Sequence, residues 1–238
     1  MTENPQIPEK SRQLSFFMDL LGHDVLNNNQ AVLSYLELLL STQDLSPKAR
    51  SYAEKAISHV RTSTVMVENA KRLMAAQTLD PNELKPLDLI WSIEAASREL
   101  KRFFPDRKIK VNLHSATKEA YVLGNSLAQD LVMNVMLNAV RTNTAEDVSI
   151  DVSVKKATHG GRPCWSMVLE DKMGVLPDML KTGDLAPIFS QDSSKTVRMA
   201  GFLFAKMIAD ILGGKFEAAS SEKGAEFTLT LVEAGGPK

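Results

Sequence analysis

Apolar residues recur every three or four positions from Ser11 to about Thr42. Leu14, Phe17, Met18, Leu21, Val25, Val32, Leu36 and Leu39 or Leu40 share one stripe, the spacing of an amphipathic helix. Ser41 to Pro47 carries turn and cap residues, and Ser46-Pro47 reads as an N-cap followed by proline at the first helical position. A second helix is predicted from Pro47 to about Ala76, with Ala53, Ala56, Val60, Thr64, Val67 and Met74 on its stripe. Two long helices joined by a tight turn make an antiparallel hairpin. One hairpin leaves an apolar stripe on each helix, and two hairpins packed about a two-fold axis as a four-helix bundle would cover them. A homodimer is therefore expected, unless the stripe packs on the chain's own second half.

The pattern then changes. Leu79 to Pro86, with two prolines, reads as a linker, so residues 11–78 form one expected domain, 79–86 the connection and 87–234 a second domain. In the second, Asp88 to Phe103, Asn125 to Arg141 and about Met199 to Leu212 are predicted helices. Strands are predicted at Lys108 to Leu113, Tyr121 to Leu123, Val148 to Val154, Trp165 to Leu169, Lys215 to Ala219 and Glu226 to Leu231. Turns are expected at His159-Gly160-Gly161-Arg162-Pro163, at Gly213-Gly214 and from Ser221 to Gly224. The fold class is α+β: a helical hairpin, then an α/β sandwich with helices on one face of a mixed sheet.

The 238 residues are 44% hydrophobic and 24% charged, ordinary for a globular protein and unlike a disordered one. Lys and Arg number 28 against 29 Asp and Glu, a balance that argues against a nucleic-acid binder. The basic run Lys101-Arg102, Arg107-Lys108 and Lys110 reads as a solvated helix end and strand start. The lone Cys164, among Trp165, Met167 and Val168, reads as a buried structural thiol. No apolar run is long enough for a bilayer, so no membrane partner is expected. Met1 to Lys10 lacks the layout of a signal peptide. The expectation is a cytoplasmic protein with no sensor domain before its first helix.

His23 is the first candidate for chemistry. It lies two positions from the stripe residues Leu21 and Val25, about 200° around the helix from each, so it should face outward. An exposed imidazole can act as a nucleophile through its unprotonated nitrogen. Asp24 follows at once, and Asn27 is one turn on. His59 reads as a solvated or interfacial residue, and His114 and His159 have no partner pattern for a metal site.

The order Phe16-Phe17-Met18-Asp19-Leu20-Leu21-Gly22-His23-Asp24-Val25-Leu26-Asn27, opening a helical hairpin, resembles the phosphoacceptor box of sensor histidine kinases. The resemblance implies that His23 carries a phosphoryl group to or from an aspartate of a response-regulator receiver domain. It implies that Asp24 helps remove the imidazole proton and that Asn27 positions water for dephosphorylation. Leu131-Val132-Met133-Asn134-Val135-Met136-Leu137-Asn138-Ala139-Val140 resembles the N box of the family's ATP-binding domain, of GHKL or Bergerat type. It implies that Asn134 and Asn138 line a nucleotide site, with Asn138 holding Mg²⁺. Val168-Leu169-Glu170-Asp171 ends where the family has the aspartate that meets the adenine amino group. Pro187-Ile188-Phe189 resembles its F box, and Gly224-Ala225-Glu226-Phe227 its closing hairpin.

The glycine motifs depart from the family. After Asp171 the two expected glycines are Met173 and Val175, with Gly174 between them. Bulky side chains, and a β-branched valine above all, suit such a loop poorly. The second glycine box reads Met199-Ala200-Gly201-Phe202, leaving only Gly201 as a cofactor-binding glycine. Ser193, Ser194, Lys195 and Thr196 are polar lid candidates. A phosphoacceptor half that is intact and an ATP half that is eroded resemble the stand-alone histidine phosphotransferases built on a kinase skeleton. The leading expectation is a homodimeric phosphorelay module, with receiver domains as partners and ATP and Mg²⁺ binding weakened or lost. The alternatives are an ATP-dependent histidine autokinase and a non-catalytic scaffold. A collapsed loop in which Met173 and Val175 fill the pocket would favour the first.

Overall fold

A computed structural model of the chain describes residues 9–42, 44–77, 83–104, 107–176, 193–221 and 224–236. It divides into two compact units, Met1–Thr78 and Leu79–Lys238.

The first unit is α1 (Glu9–Ser41) and α2 (Pro47–Gln77). Ser46 caps α2, accepting from the Ala49 amide at 3.2 Å, and Pro47 takes the first helical position. The cross-helix contacts fix direction and register. Asp19 meets Lys71, Asn29 donates to Ser63 and Thr64, Glu37 meets Arg61, and Arg50 donates to the Leu40 carbonyl. Partners later in α1 are earlier in α2, so the helices run antiparallel.

The predicted apolar stripe divides in two. Met18, Leu36 and Leu40 are half-buried on the side of α1 that carries Gly22 and Asn29. Leu21, Val25, Val32 and Leu39, displaced around the axis, stay exposed.

The second unit contains β1 (Lys85–Asp88), α3 (Leu89–Phe103), β2 (Lys108–Ser115), β3 (Tyr121–Gly124), α4 (Ser126–Thr142), β4 (Asp147–His159) and β5 (Arg162–Asp171). The chain continues into α5 (Ser193–Ile211), β6 (Lys215–Ser221) and β7 (Gly224–Val232). The main sheet has the order β2-β4-β5-β7-β6, with β2 and β4 parallel and the other pairs antiparallel. Alternate residues Val148, Ile150, Val152 and Val154 on β4, and Ala225, Phe227, Leu229 and Leu231 on β7, are buried. They share one face with Leu131, Val135 and Val140 of α4 and Ala205, Ile208 and Ala209 of α5 in a single core.

Three boundaries differ from the sequence reading. The linker stretch contributes a strand, because Lys85–Asp88 pairs antiparallel with Tyr121–Gly124. β4 and β5 run on to the turn, paired down to His159 opposite Arg162. Gly160 and Gly161, at φ 56° and 75°, close that hairpin with the positive dihedrals a two-residue turn demands. The last helix starts at Ser193 instead of near Met199. Its end is as expected: Gly214 donates to Ala209 and Gly213 to Asp210, a Schellman motif.

Candidate functional site

The candidate residues occupy two places, one in each unit. On α1 the His23 side chain is 69% exposed. Its Nδ1 is 3.3 Å from Asp24 Oδ1. The Asn27 amide nitrogen is 3.2 Å from Nδ1 and 3.3 Å from Nε2. A neutral imidazole has one N–H and one lone pair. With Nδ1–H donated to Asp24, the lone pair would be on Nε2, and the Asn27 amide nitrogen stands about equally near both ring nitrogens. All three residues sit in regular helix, so an i, i+4 spacing alone brings Asn27 to the ring. The sequence-predicted trio is thus together and open to solvent.

In the second unit the predicted polar residues are buried. Asn134 and Asn138 are 4% and 3% exposed, and Asn138 Nδ2 donates to Asn134 Oδ1 at 3.0 Å. Gly201 of α5 lies directly against the Asn138 amide, and a Cβ there would collide with Asn138 Oδ1. The glycine lies well inside α5, so its amide belongs to the helix ladder and it serves close packing of α4 on α5.

Asp171 ends β5 and is 1% exposed. Its Oδ1 accepts from Asn143 Nδ2 at 2.8 Å and from the Met173 amide at 3.1 Å. Its Oδ2 is buried with no hydrogen-bond partner among the described residues. Burial pushes the carboxyl above its ordinary range, against the hydrogen bonds from Met173, Asn143 and Gly174 and the charge of Arg107. A buried acceptor without a donor costs about 1–3 kcal/mol, so an outside N–H fits this position.

Sequence reasoning missed two residues here. Asn143 is buried at the end of α4; it donates to Asp171 and accepts from the Ala145 amide at 2.8 Å. Its signal was an asparagine directly after a helix, a position where its side chain commonly ties down a turn. Arg107 is the other: its guanidinium donates to the carbonyls of Val140, Asn143 and Ala145, closing the C-terminal end of α4. Gly174 makes room for the carboxylate, since a Cβ there would sit 2.9 Å from Asp171 Oδ2.

Met173 and Val175, whose filling of the pocket would have favoured the phosphorelay reading, point outward at 65% and 70% exposure, while Leu176 is buried. Pro177 and the F-box-like Pro187-Ile188-Phe189 lie outside the described residues. Ser193–Thr196 belong by backbone to the first turn of α5. A groove of about 610 Å³ lies elsewhere, lined by Lys101, Arg107, Lys108, Lys110 and Asp147 among others, and includes none of Asn134, Asn138 and Asp171. Among the described residues no cluster of His, Cys, Asp and Glu could hold a metal ion. Nor is any helix long and apolar enough to cross a membrane.

For a nucleotide, then, the adenine end has a fitting acceptor in Asp171 Oδ2. Among the described residues, Asn138 is hydrogen-bonded and covered and the Gly201 amide is inside a helix, so neither presents a free donor to a triphosphate.

No family profile and no curated protein matches the sequence. Solved structures do. Full-length ShkA in complex with AMPPNP superposes with a TM-score of 0.59 at 19% identity, over 93% of this chain and 47% of that one. The histidine kinase AdeS of Acinetobacter baumannii gives 0.55 at 13% identity, over 88% and 98%. The nucleotide-free catalytic domain of the histidine kinase ThkA gives 0.52 at 16% identity, over 63% and 97%. This chain spans about half the length of ShkA and nearly all of AdeS, and what it shares with them is the fold of the sensor histidine kinase core.

Proposed function

We propose that this protein is a dimeric phosphoryl carrier, taking a phosphoryl group on His23 and exchanging it with an aspartate of a response-regulator receiver domain. The observation that carries the reading is the exposed His23 with Asp24 Oδ1 beside its Nδ1; with the ring proton on Nδ1, Nε2 is the nucleophile. In the charging step the Nε2 lone pair attacks the phosphorus of an aspartyl phosphate in line. The P–O bond to the aspartyl carboxylate breaks, and its electron pair stays on that carboxylate. The Nδ1 proton passes to Asp24, leaving a neutral imidazole ring that bears the anionic phosphoryl group. Discharge to a second receiver is the same exchange reversed. The receiver contributes its own aspartate and Mg²⁺, so the carrier's share is positioning and charge. Before attack Asn27 must leave Nε2, which suits a residue that later holds water beside the phosphoryl group.

The dimer rests on the second apolar row. Val25, Val32 and Leu39 recur at intervals of seven, with Leu21 and Tyr35 on the same side, the pattern of a helical seam. From Leu21 to Leu39 the row is exposed within the chain, and a second copy would cover it. His23 lies on the opposite side of α1, outside that seam.

A second reading, nucleotide binding, is favoured by the unpaired Asp171 Oδ2. The carrier reading needs no step through ATP, and the covered Asn138 and helical Gly201 support it. The test is phosphotransfer: receiver domains, ³²P-labelled at aspartate, are mixed with the protein and with His23→Gln. Label that moves to the wild type and not to the variant supports the carrier; label that stays on every receiver in a broad panel sinks it.

A further inference from the structure

A phosphoryl group on His23 would arrive in an anionic setting. From Gln13 to Ser41, α1 has no lysine or arginine and three carboxylates, Asp19, Asp24 and Glu37. Asp24 touches the imidazole, and Asp19 is one turn before it on the same side of the helix. A phosphoryl group brings close to two negative charges at neutral pH, so a cation must come from another element. α2 offers several, and most are engaged elsewhere. Arg61 meets Glu37, four turns beyond His23; Arg50 holds the Leu40 carbonyl; Arg72 meets Glu68 on its own helix.

Lys71 differs. Its stem crosses α1 at Gly22, the residue before His23, and a Cβ on Gly22 would sit 2.6 Å from Lys71 Cδ and 3.1 Å from Cγ. Its Nζ is 3.7 Å from Asp19 Oδ1. The glycine is a notch through which a lysine of α2 reaches the phosphoacceptor side of α1.

We propose that Lys71 is the phosphoryl-binding cation of His23, leaving Asp19 to hold the phosphoryl oxygens once the imidazole is charged. The assignment rests on the carrier reading above and adds to it a residue outside the phosphoacceptor box. The Lys71–Asp19 pair is largely solvent-exposed on the aspartate side, and such pairs add little to stability. Its exchange for a phosphoryl partner is therefore cheap, and the bond gained is charge-assisted.

The test uses phosphoramidate as donor, so that neither ATP nor a receiver enters, with His23→Gln as the blank. Phosphohistidine formation and the titration of its phosphoryl group are followed by ³¹P NMR. Lys71→Met keeps the apolar stem and removes the charge; it should label about fivefold to tenfold more slowly, with the phosphoryl titration moved to higher pH. Lys71→Arg should restore most of the rate. Gly22→Ala keeps the lysine, gains helix propensity and displaces the stem. It should slow labelling in a protein that melts no lower than wild type. Wild-type rates and titrations in both Lys71→Met and Gly22→Ala would overturn the assignment and leave the carrier standing. A wild type that takes no phosphoryl group on His23 would remove both.

Discussion

His23 and Asp171 stand in opposite relation to solvent. The first is exposed on a helix, its two polar neighbours supplied by sequence spacing alone; the second is buried, held by Asn143 from the end of α4 and by the Met173 amide. The helical unit keeps an apolar row and His23 outside. The α/β unit turns its polar residues inward, and most of them satisfy one another: Asn138 with Asn134, Asn143 with Asp171. Spacing is enough to gather an exposed polar surface, whereas a buried polar site needs donors and acceptors counted one by one. On that count Asp171 Oδ2 alone is left over among the described residues.

The contrast can be broken from either end. The largest effect is expected at the apolar row. Val32→Glu places a like charge twice in a two-fold seam and should weaken dimerisation by about a hundredfold or more in sedimentation equilibrium. An unchanged dimer would place the interface elsewhere.

Next is Gly201→Ala, whose Cβ collides with an Asn138 amide already fixed by Asn134. Overpacking costs about 1–3 kcal/mol, less roughly 1 kcal/mol of helix propensity regained. Thermal unfolding of the α/β unit should fall while labelling of His23 persists. A stabilised variant would mean that α5 is free to move from α4.

Asp171→Asn sharpens the burial argument. A carboxyl whose folded pKa is raised penalises the fold once it ionises: the penalty is absent below the unfolded pKa, grows as pH rises toward the folded value, and is complete above it. The variant should therefore match wild type at acid pH and melt higher at neutral pH, by about 1 kcal/mol of stability. Equal melting at both would remove the penalty. The smallest effect is at Asn27→Ala: without the amide over Nε2, phosphoramidate should label His23 about twofold faster, consistent with the loss of one weak hydrogen bond.

The helical unit was largely legible in the sequence because its rules are local. Periodicity gave two helices, Ser46-Pro47 their joint, and the His23, Asp24 and Asn27 spacing their shared surface. What periodicity could not separate was the stripe itself, whose members divide between α2 and solvent once helix packing fixes a direction. The α/β unit was legible as elements, and less so as contacts. Lys85–Asp88 looked like linker because its two prolines-and-acids neighbourhood hides a strand made only by pairing with Tyr121–Gly124. Gly201 looked like a phosphate glycine because its role depends on which helix crosses it. Met173 and Val175 stand where glycines were expected, and alternation along six residues does not say which side of the loop is buried; Leu176 is the one inside.

The most direct measurement compares two donors on one residue. The purified chain is incubated with Mg²⁺-ATP in one sample and with a phosphorylated receiver domain in another. The peptide carrying His23 is then weighed by mass spectrometry under conditions that preserve phosphohistidine. The account predicts one added phosphoryl group on that peptide from the receiver, none from ATP, and none from either donor in His23→Gln. Phosphohistidine from ATP alone, or a phosphoryl group on His23→Gln, would contradict it.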